Sequence, residues 1–139
     1  MAKSVRDVMT ANPVSLPADA PIREAARKMR DNDVGVVVVE KGGTLHGMVT
    51  DRDIVVRAVA EGKNAETTDL ESICSKDVTA LSPEQSEEDA IRMMREKAVR
   101  RLPVVENGKV IGIVSIGDLA VDKDPNSVLG QISAAPGNV

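Results

Sequence analysis

The sequence predicts a mixed α/β (α+β) fold made of two copies of one βαββα unit, and three observations carry that prediction. The first is internal self-similarity, which decides an architecture before any single element does. Glu24-Ala-Ala-Arg-Lys-Met-Arg30 lines up with Asp89-Ala-Ile-Arg-Met-Met-Arg95, and GMVTDRDI from Gly47 lines up with GIVSIGDL from Gly112, both pairs 65 positions apart. Val8-Met9-Thr10 and Ile73-Cys74-Ser75 repeat at the same spacing. The second is the run Val36-Val37-Val38-Val39, which lacks polar alternation and so reads as a strand covered on both faces. The third is helical periodicity: Ile22, Ala25, Ala26 and Met29 form one apolar stripe. The repeat divides the chain into 1–66 and 67–139, two halves of one compact module.

Each half is read in the same order. A short extended piece comes first, at Val14-Ser15-Leu16 or Val78-Thr79-Ala80-Leu81. The helix after it is capped by Asp19 with Pro21 in its first turn, or by Ser86 with Glu87, Glu88 and Asp89 complementing the dipole. In the second helix Ala90, Ile91 and Met94 face inward, and Glu87 replaces the apolar Ile22, which narrows the stripe. Two strands follow, over 34–39 and 45–50, then 99–105 and 109–115. Asn107-Gly108 is a strong hairpin signal because both positions tolerate positive φ; Lys41-Gly42-Gly43 is expected to make a longer turn. The closing helix is well formed over 53–60 and brief over 118–121, stopping before Asp124-Pro125. Residues 61–69 form a polar connector, and a short helix near 126–132 precedes a tail, 133–139, expected to fray.

Composition narrows the function. At 139 residues, 42% hydrophobic and 29% charged, the chain is globular and holds one core of ordinary domain size. A formal charge of −4 without any basic tract argues against a nucleic-acid partner. Phe, Tyr and Trp are absent, so a bound purine would lie between aliphatic side chains rather than on an aromatic clamp. No segment approaches the ~20 apolar residues of a membrane span, and MAKSVRDVMT has no cleavage-like pattern, which reads as cytoplasmic. Cys74 has no partner for an internal disulfide and reads as a small buried hydrophobe. A single histidine, His46, without a cysteine cluster does not make a zinc site. No Cys/His, Ser/His or dinucleotide arrangement is present, so no catalytic residues are assigned and the chain is read as a non-enzyme.

Taken together, GMVTDRD, GIVSIGD and VRRLPVVE within a twofold βαββα repeat resemble the CBS motif pair, or Bateman module, over nearly the whole chain. The resemblance implies two motifs packed about a pseudo-twofold axis, a dimer, and clefts that in many members bind AMP, ADP, ATP or a related adenosine compound. It implies that Asp53 and Asp118 bond ribose hydroxyls, and that Thr50 and Ser115 bond ribose or phosphate. A second explanation stands beside this one. Thr50-x-x-Asp53 and Ser115-x-x-Asp118 are also close to capping boxes, although Asp is shorter than the preferred Glu or Gln and reaches back less readily.

Arg100 and Arg101 occupy the place where similar nucleotide-binding pairs direct cations towards phosphates; as surface residues they would simply face water. Gly35-Val36 stands there in the first half, which makes the two sites unequal. Arg52 supplies charge to the first motif or is an exposed helix-turn arginine beside Asp51. Val14, Val78 and Pro103 complete the expected nucleotide-binding set. Gly47 and Gly112 permit a close backbone approach, either to a structural element or to a base. Ile54, Val55, Ala58 and Val59 are hard to bury in one small unit and point to a homodimer. The expected role is a regulatory module acting in trans on an unidentified protein, requiring no cofactor. The alternative is a dimeric interaction protein that binds no nucleotide.

Overall fold

The computed structural model describes residues 3–135, so the tail expected to fray lies partly outside the described residues, at 136–139. In chain order the elements are α1 (Val5–Val8), β1 (Thr10–Ala11), β2 (Ser15–Pro17), α2 (Ile22–Asn32), β3 (Val36–Lys41), β4 (Thr44–Thr50) and α3 (Asp51–Asp53). A widened helical segment (Ile54–Val59) and a single tight turn (Leu70–Ser72) follow, then α4 (Glu87–Lys97), β5 (Arg101–Glu106), β6 (Lys109–Ser115), α5 (Ile116–Lys123) and α6 (Val128–Ala134). Among the described residues no helix is long and apolar enough to cross a membrane.

These elements form two compact units, and their boundary differs from the sequence division at 66/67. One unit is Val14–Val78; the other joins residues 3–13 to 79–135. The leading segment of each repeat therefore packs on the core of the other repeat. Thr10 pairs with Ile113 in one unit, and Ser75 bridges Met48 in the other. Gly47 and Gly112 explain why these segments can come so close. A Cβ at Gly47 would lie 2.4 Å from the Ser75 carbonyl oxygen, and one at Gly112 would lie 2.4 Å from the Met9 sulfur. The close approach that these glycines permit is to a structural element.

In the Val14–Val78 unit the sheet order is β2-β3-β4, with β2 parallel to β3 and β3 antiparallel to β4. Ile22, Ala25 and Met29 of α2 cover Val37, Val39 and Val49, with Ala58, Leu70, Ile73 and the buried Cys74 completing the core. Ala26, expected on this stripe, is exposed. Asp19 does not cap α2; Pro21 occupies the cap position with no side-chain bond, and its fixed φ of −71° suits entry into the helix.

In the other unit the order is β1-β6-β5, and Val5, Leu81, Ala90, Met94, Leu102, Val104, Val114 and Leu119 form the core. Ser86 caps α4 as expected, its hydroxyl accepting from Asp89 N–H at 3.1 Å. Ile91 is exposed, whereas Glu87 is buried. The extended piece expected over 78–81 is reduced to one parallel bridge, Leu81 to Val104.

Both hairpins use the same two-residue turn. Gly42 and Gly43 have φ of 63° and 80°, and Asn107 and Gly108 have 54° and 79°, so the first turn is no longer than the second. Both hairpins also carry the same irregularity. Val39 pairs with Gly47 and Glu40 with Leu45, leaving His46 bulged; Ile111 is skipped in the same way between Gly112 and Val110. The closing helix of the first repeat departs from α geometry, because Ala60 N–H donates to Val55 O, five residues back, at 2.9 Å. Within that segment only Ala58 is buried.

Candidate functional site

Each hairpin ends on the start of a helix, and the local geometry is the same in both units. Thr50 and Ser115 occupy the cap positions of α3 and α5. The Thr50 hydroxyl accepts from Asp53 N–H at 3.1 Å, and Asp53 Oδ2 accepts from Thr50 N–H at 2.9 Å. Ser115 and Asp118 make the same two bonds at 3.1 and 2.9 Å. The shorter Asp does reach back, so both capping boxes are complete and each uses one carboxylate oxygen.

What surrounds the second oxygen differs. Asp53 Oδ1 lies 3.7 Å from Nε of Arg57, one helical turn on, and Arg57 also donates to Ile73 O at 3.3 Å. In the other repeat the position of Arg57 is held by Asp122, and among the described residues no side chain donates to Asp118 Oδ1. Asp118 lines a cavity of about 420 Å³ with Asp7, Val8, Val121, Asp122 and Ser133. A wall of carboxylate and hydroxyl oxygens accepts hydrogen bonds and so matches a ligand rich in hydroxyl donors. The i+4 neighbours Arg57 and Asp122 were not singled out in the sequence, although their helical spacing was a usable signal.

The cations sit on the strand beside the same helix start. Arg101 is the cross-strand partner of Ser115, and Ile116 N–H donates to Arg100 O at 2.9 Å. Arg100 is exposed and Arg101 half-buried, and among the described residues neither has a carboxylate within ion-pair distance. Ser115, Asp118, Arg100 and Arg101 are thus brought together.

In the first repeat Val36 pairs with Thr50, and Asp51 N–H donates to Gly35 O at 3.0 Å. Arg52 is exposed beside them. Val14 and Val78 are half-buried; Val14 O accepts from Val38 N–H at 2.8 Å. Pro103 is fully buried and its carbonyl accepts from Leu81 N–H at 2.8 Å, so it visibly serves strand pairing.

The model for the CBS domain matches residues 5–59 and 70–121, one match per repeat. The chain is a CBS-domain pair. This CBS pair is 38% identical over 128 residues to the CBS domain-containing protein YhcV of Bacillus subtilis, covering 92% of this chain and 91% of that protein. It is 30% identical over 132 residues to hypoxic response protein 1 of Mycobacterium tuberculosis, covering 94% and 92%. A crystal structure of hypoxic response protein I with two coordinated zinc ions superposes with a TM-score of 0.77 at 30% identity, over 85% of this chain and 97% of that one. A hexameric CBS-CP12 protein from bloom-forming cyanobacteria gives 0.80 at 27% identity, over 90% and 74%.

Among the described residues of this CBS pair, no three His, Cys, Asp or Glu side chains are grouped to hold a metal. His46, in its bulge, instead places Nε2 2.8 Å from Glu71 Oε2. The bond from Lys76 holds the Glu71 carboxyl below its ordinary value. Burial pushes the Cys74 thiol up, away from a reactive thiolate.

Proposed function

We propose that this CBS pair is a non-enzymatic regulatory module that binds AMP, ADP or ATP and acts in trans, as a homodimer, on a partner protein. The observation that carries the reading is the second repeat's helix start, where Ser115 and Asp118 adjoin two arginines that have no carboxylate partner among the described residues. Asp118 and its acceptor-lined cavity suit ribose hydroxyls, while the free guanidinium groups suit phosphate through bidentate bonding. Each group thereby has a ligand part that matches it chemically.

Thermal unfolding with and without nucleotide tests this. A ligand that binds only the folded state stabilises it by about 2.7 kcal/mol at one hundred times its Kd, a shift of several degrees in a domain of this size. Because Asp118 is also a cap, Asp118→Ala should lower unliganded stability by ~1 kcal/mol and remove most of the second repeat's ligand-induced shift. The completed capping boxes favour one alternative, a dimeric interaction protein whose Thr/Ser-x-x-Asp motifs only start helices. The alternative replaces the sensor reading if AMP, ADP and ATP all leave the wild-type transition unmoved.

A further inference from the structure

The two repeats carry opposite charges beside the equivalent helix start, and the first repeat does so with a residue outside its capping box. Positions 35 and 100 correspond, as do 51 and 116, each pair 65 apart. The backbone is equivalent at both: Asp51 N–H donates to Gly35 O at 3.0 Å, and Ile116 N–H to Arg100 O at 2.9 Å. The side chains are what differ. A Cβ built on Gly35 would lie 3.0 Å from Asp51 Oδ2, so the Asp51 carboxylate covers the backbone from which Arg100 extends in the other repeat. Its other oxygen accepts from Arg52 N–H at 2.8 Å, which anchors the carboxylate in place.

We propose that Asp51 sets the ligand class of the first repeat's site, excluding 5′-phosphates there and admitting adenosine compounds that are uncharged or cationic at the 5′ position. Phosphorylated adenosine is left to the site beside Arg100 and Arg101. This rests on the nucleotide reading above and deepens it. The corresponding positions carry two guanidinium groups in one repeat, and a glycine, a valine and a carboxylate in the other. Two nearby cations do not restore the balance. Arg57 is engaged by Asp53 and by the Ile73 carbonyl; Arg52 is exposed, as Asp51 is, so the two charges are screened alike, and Asp51 is the one held against Gly35. A like charge a few ångströms from a polyphosphate weakens its binding by roughly tenfold or more.

Amide chemical shifts in the wild-type protein resolve the two sites without disabling either. Adenosine should move the amides of residues 50–53 and 115–118 over one concentration range. ATP without Mg²⁺ should move 115–118, and should need at least about tenfold more ligand than adenosine to move 50–53. Asp51→Asn keeps the acceptor for Arg52 N–H while removing the charge. It should tighten ATP at 50–53 by roughly tenfold and leave adenosine there unchanged. Equal ATP and adenosine affinity at 50–53 in wild type overturns the proposal, as does adenosine moving 115–118 alone. An Asp51→Asn variant whose two affinities at 50–53 change together, or not at all, also overturns it. Failure of adenosine, AMP and ATP to move any amide overturns the nucleotide reading itself, a result distinct from all of these.

Discussion

Glu87 shows at the scale of one residue how the second repeat departs from the first. It stands where the first repeat has Ile22, is 3% exposed, and has Lys123 Nζ 3.3 Å from Oε2. Burial pushes its carboxyl up, and the neighbouring Asp122 carboxyl adds to this; Glu87 and Lys3 in turn hold Asp122 down. Glu87 therefore holds its proton to higher pH than an ordinary carboxyl does. A carboxyl that binds its proton more tightly folded than unfolded penalises the fold once ionised. Relative to Glu87→Gln, the wild type should be most stable below pH 4.5, Glu87's ordinary value, and should lose that advantage as pH rises through the raised value. Asp122 keeps Lys3 and Lys123 keeps Glu88 when Glu87 is removed, so no charge is stranded. Glu87→Ile should accordingly raise stability at pH 7 by about 1 kcal/mol. Denaturant unfolding followed by circular dichroism measures both, and a stability difference from Glu87→Gln that is flat with pH contradicts the assignment.

At the scale of elements, the closest backbone approach lies where a leading segment crosses the hairpin of the other repeat. Gly47→Ala places its Cβ 2.4 Å from Ser75 O, a backbone atom held by the pair of bonds between Met48 and Ser75. Gly112→Ala meets the Met9 sulfur at the same distance, but that side-chain end can rotate away. Gly47→Ala should therefore destabilise by ~1–3 kcal/mol and Gly112→Ala by clearly less. Equal losses in thermal unfolding would show that the Thr10 carbonyl, 3.0 Å from the Gly112 Cβ position, is as immovable as that of Ser75. Much of this level was legible in advance. The Asn107-Gly108 turn and the Ser86 cap follow from local chemistry, whereas the half-buried partner of Gly47, Ser75, belongs to a segment 28 positions further on.

For the whole molecule, the apolar surface left open bears on assembly. Val55, Val56 and Val59 are 58%, 44% and 68% exposed, and Val128 and Ile132 are 75% and 57% exposed. Single exposed hydrophobes are ordinary, but neighbours of this size along one helical segment are what the proposed homodimer would cover. Sedimentation equilibrium, with interference detection because Tyr and Trp are absent, should return twice the 14.7 kDa chain mass. Val59→Asp should shift the population towards monomer. A concentration-independent monomer in wild type would refute the dimer.

The sequence by itself determined the twofold βαββα repeat, the mixed α/β class, the hairpin at Asn107-Gly108 and the two Thr/Ser-x-x-Asp helix starts. All of these rest on periodicity and on residues within a few positions of one another, where local sterics and hydrogen bonding decide. Only the tertiary structure decided which segment packs on which core, that Asp53 and Asp118 reach back to complete their caps, and that Asp51 lies over Gly35. It also decided that Glu87 is buried while Ala26 and Ile91 are not. The packing of segments and the burial of Glu87 depend on atoms brought together from distant parts of the chain, which a one-dimensional pattern does not record, while the caps are local and turned on whether the short Asp side chain reaches back over three residues.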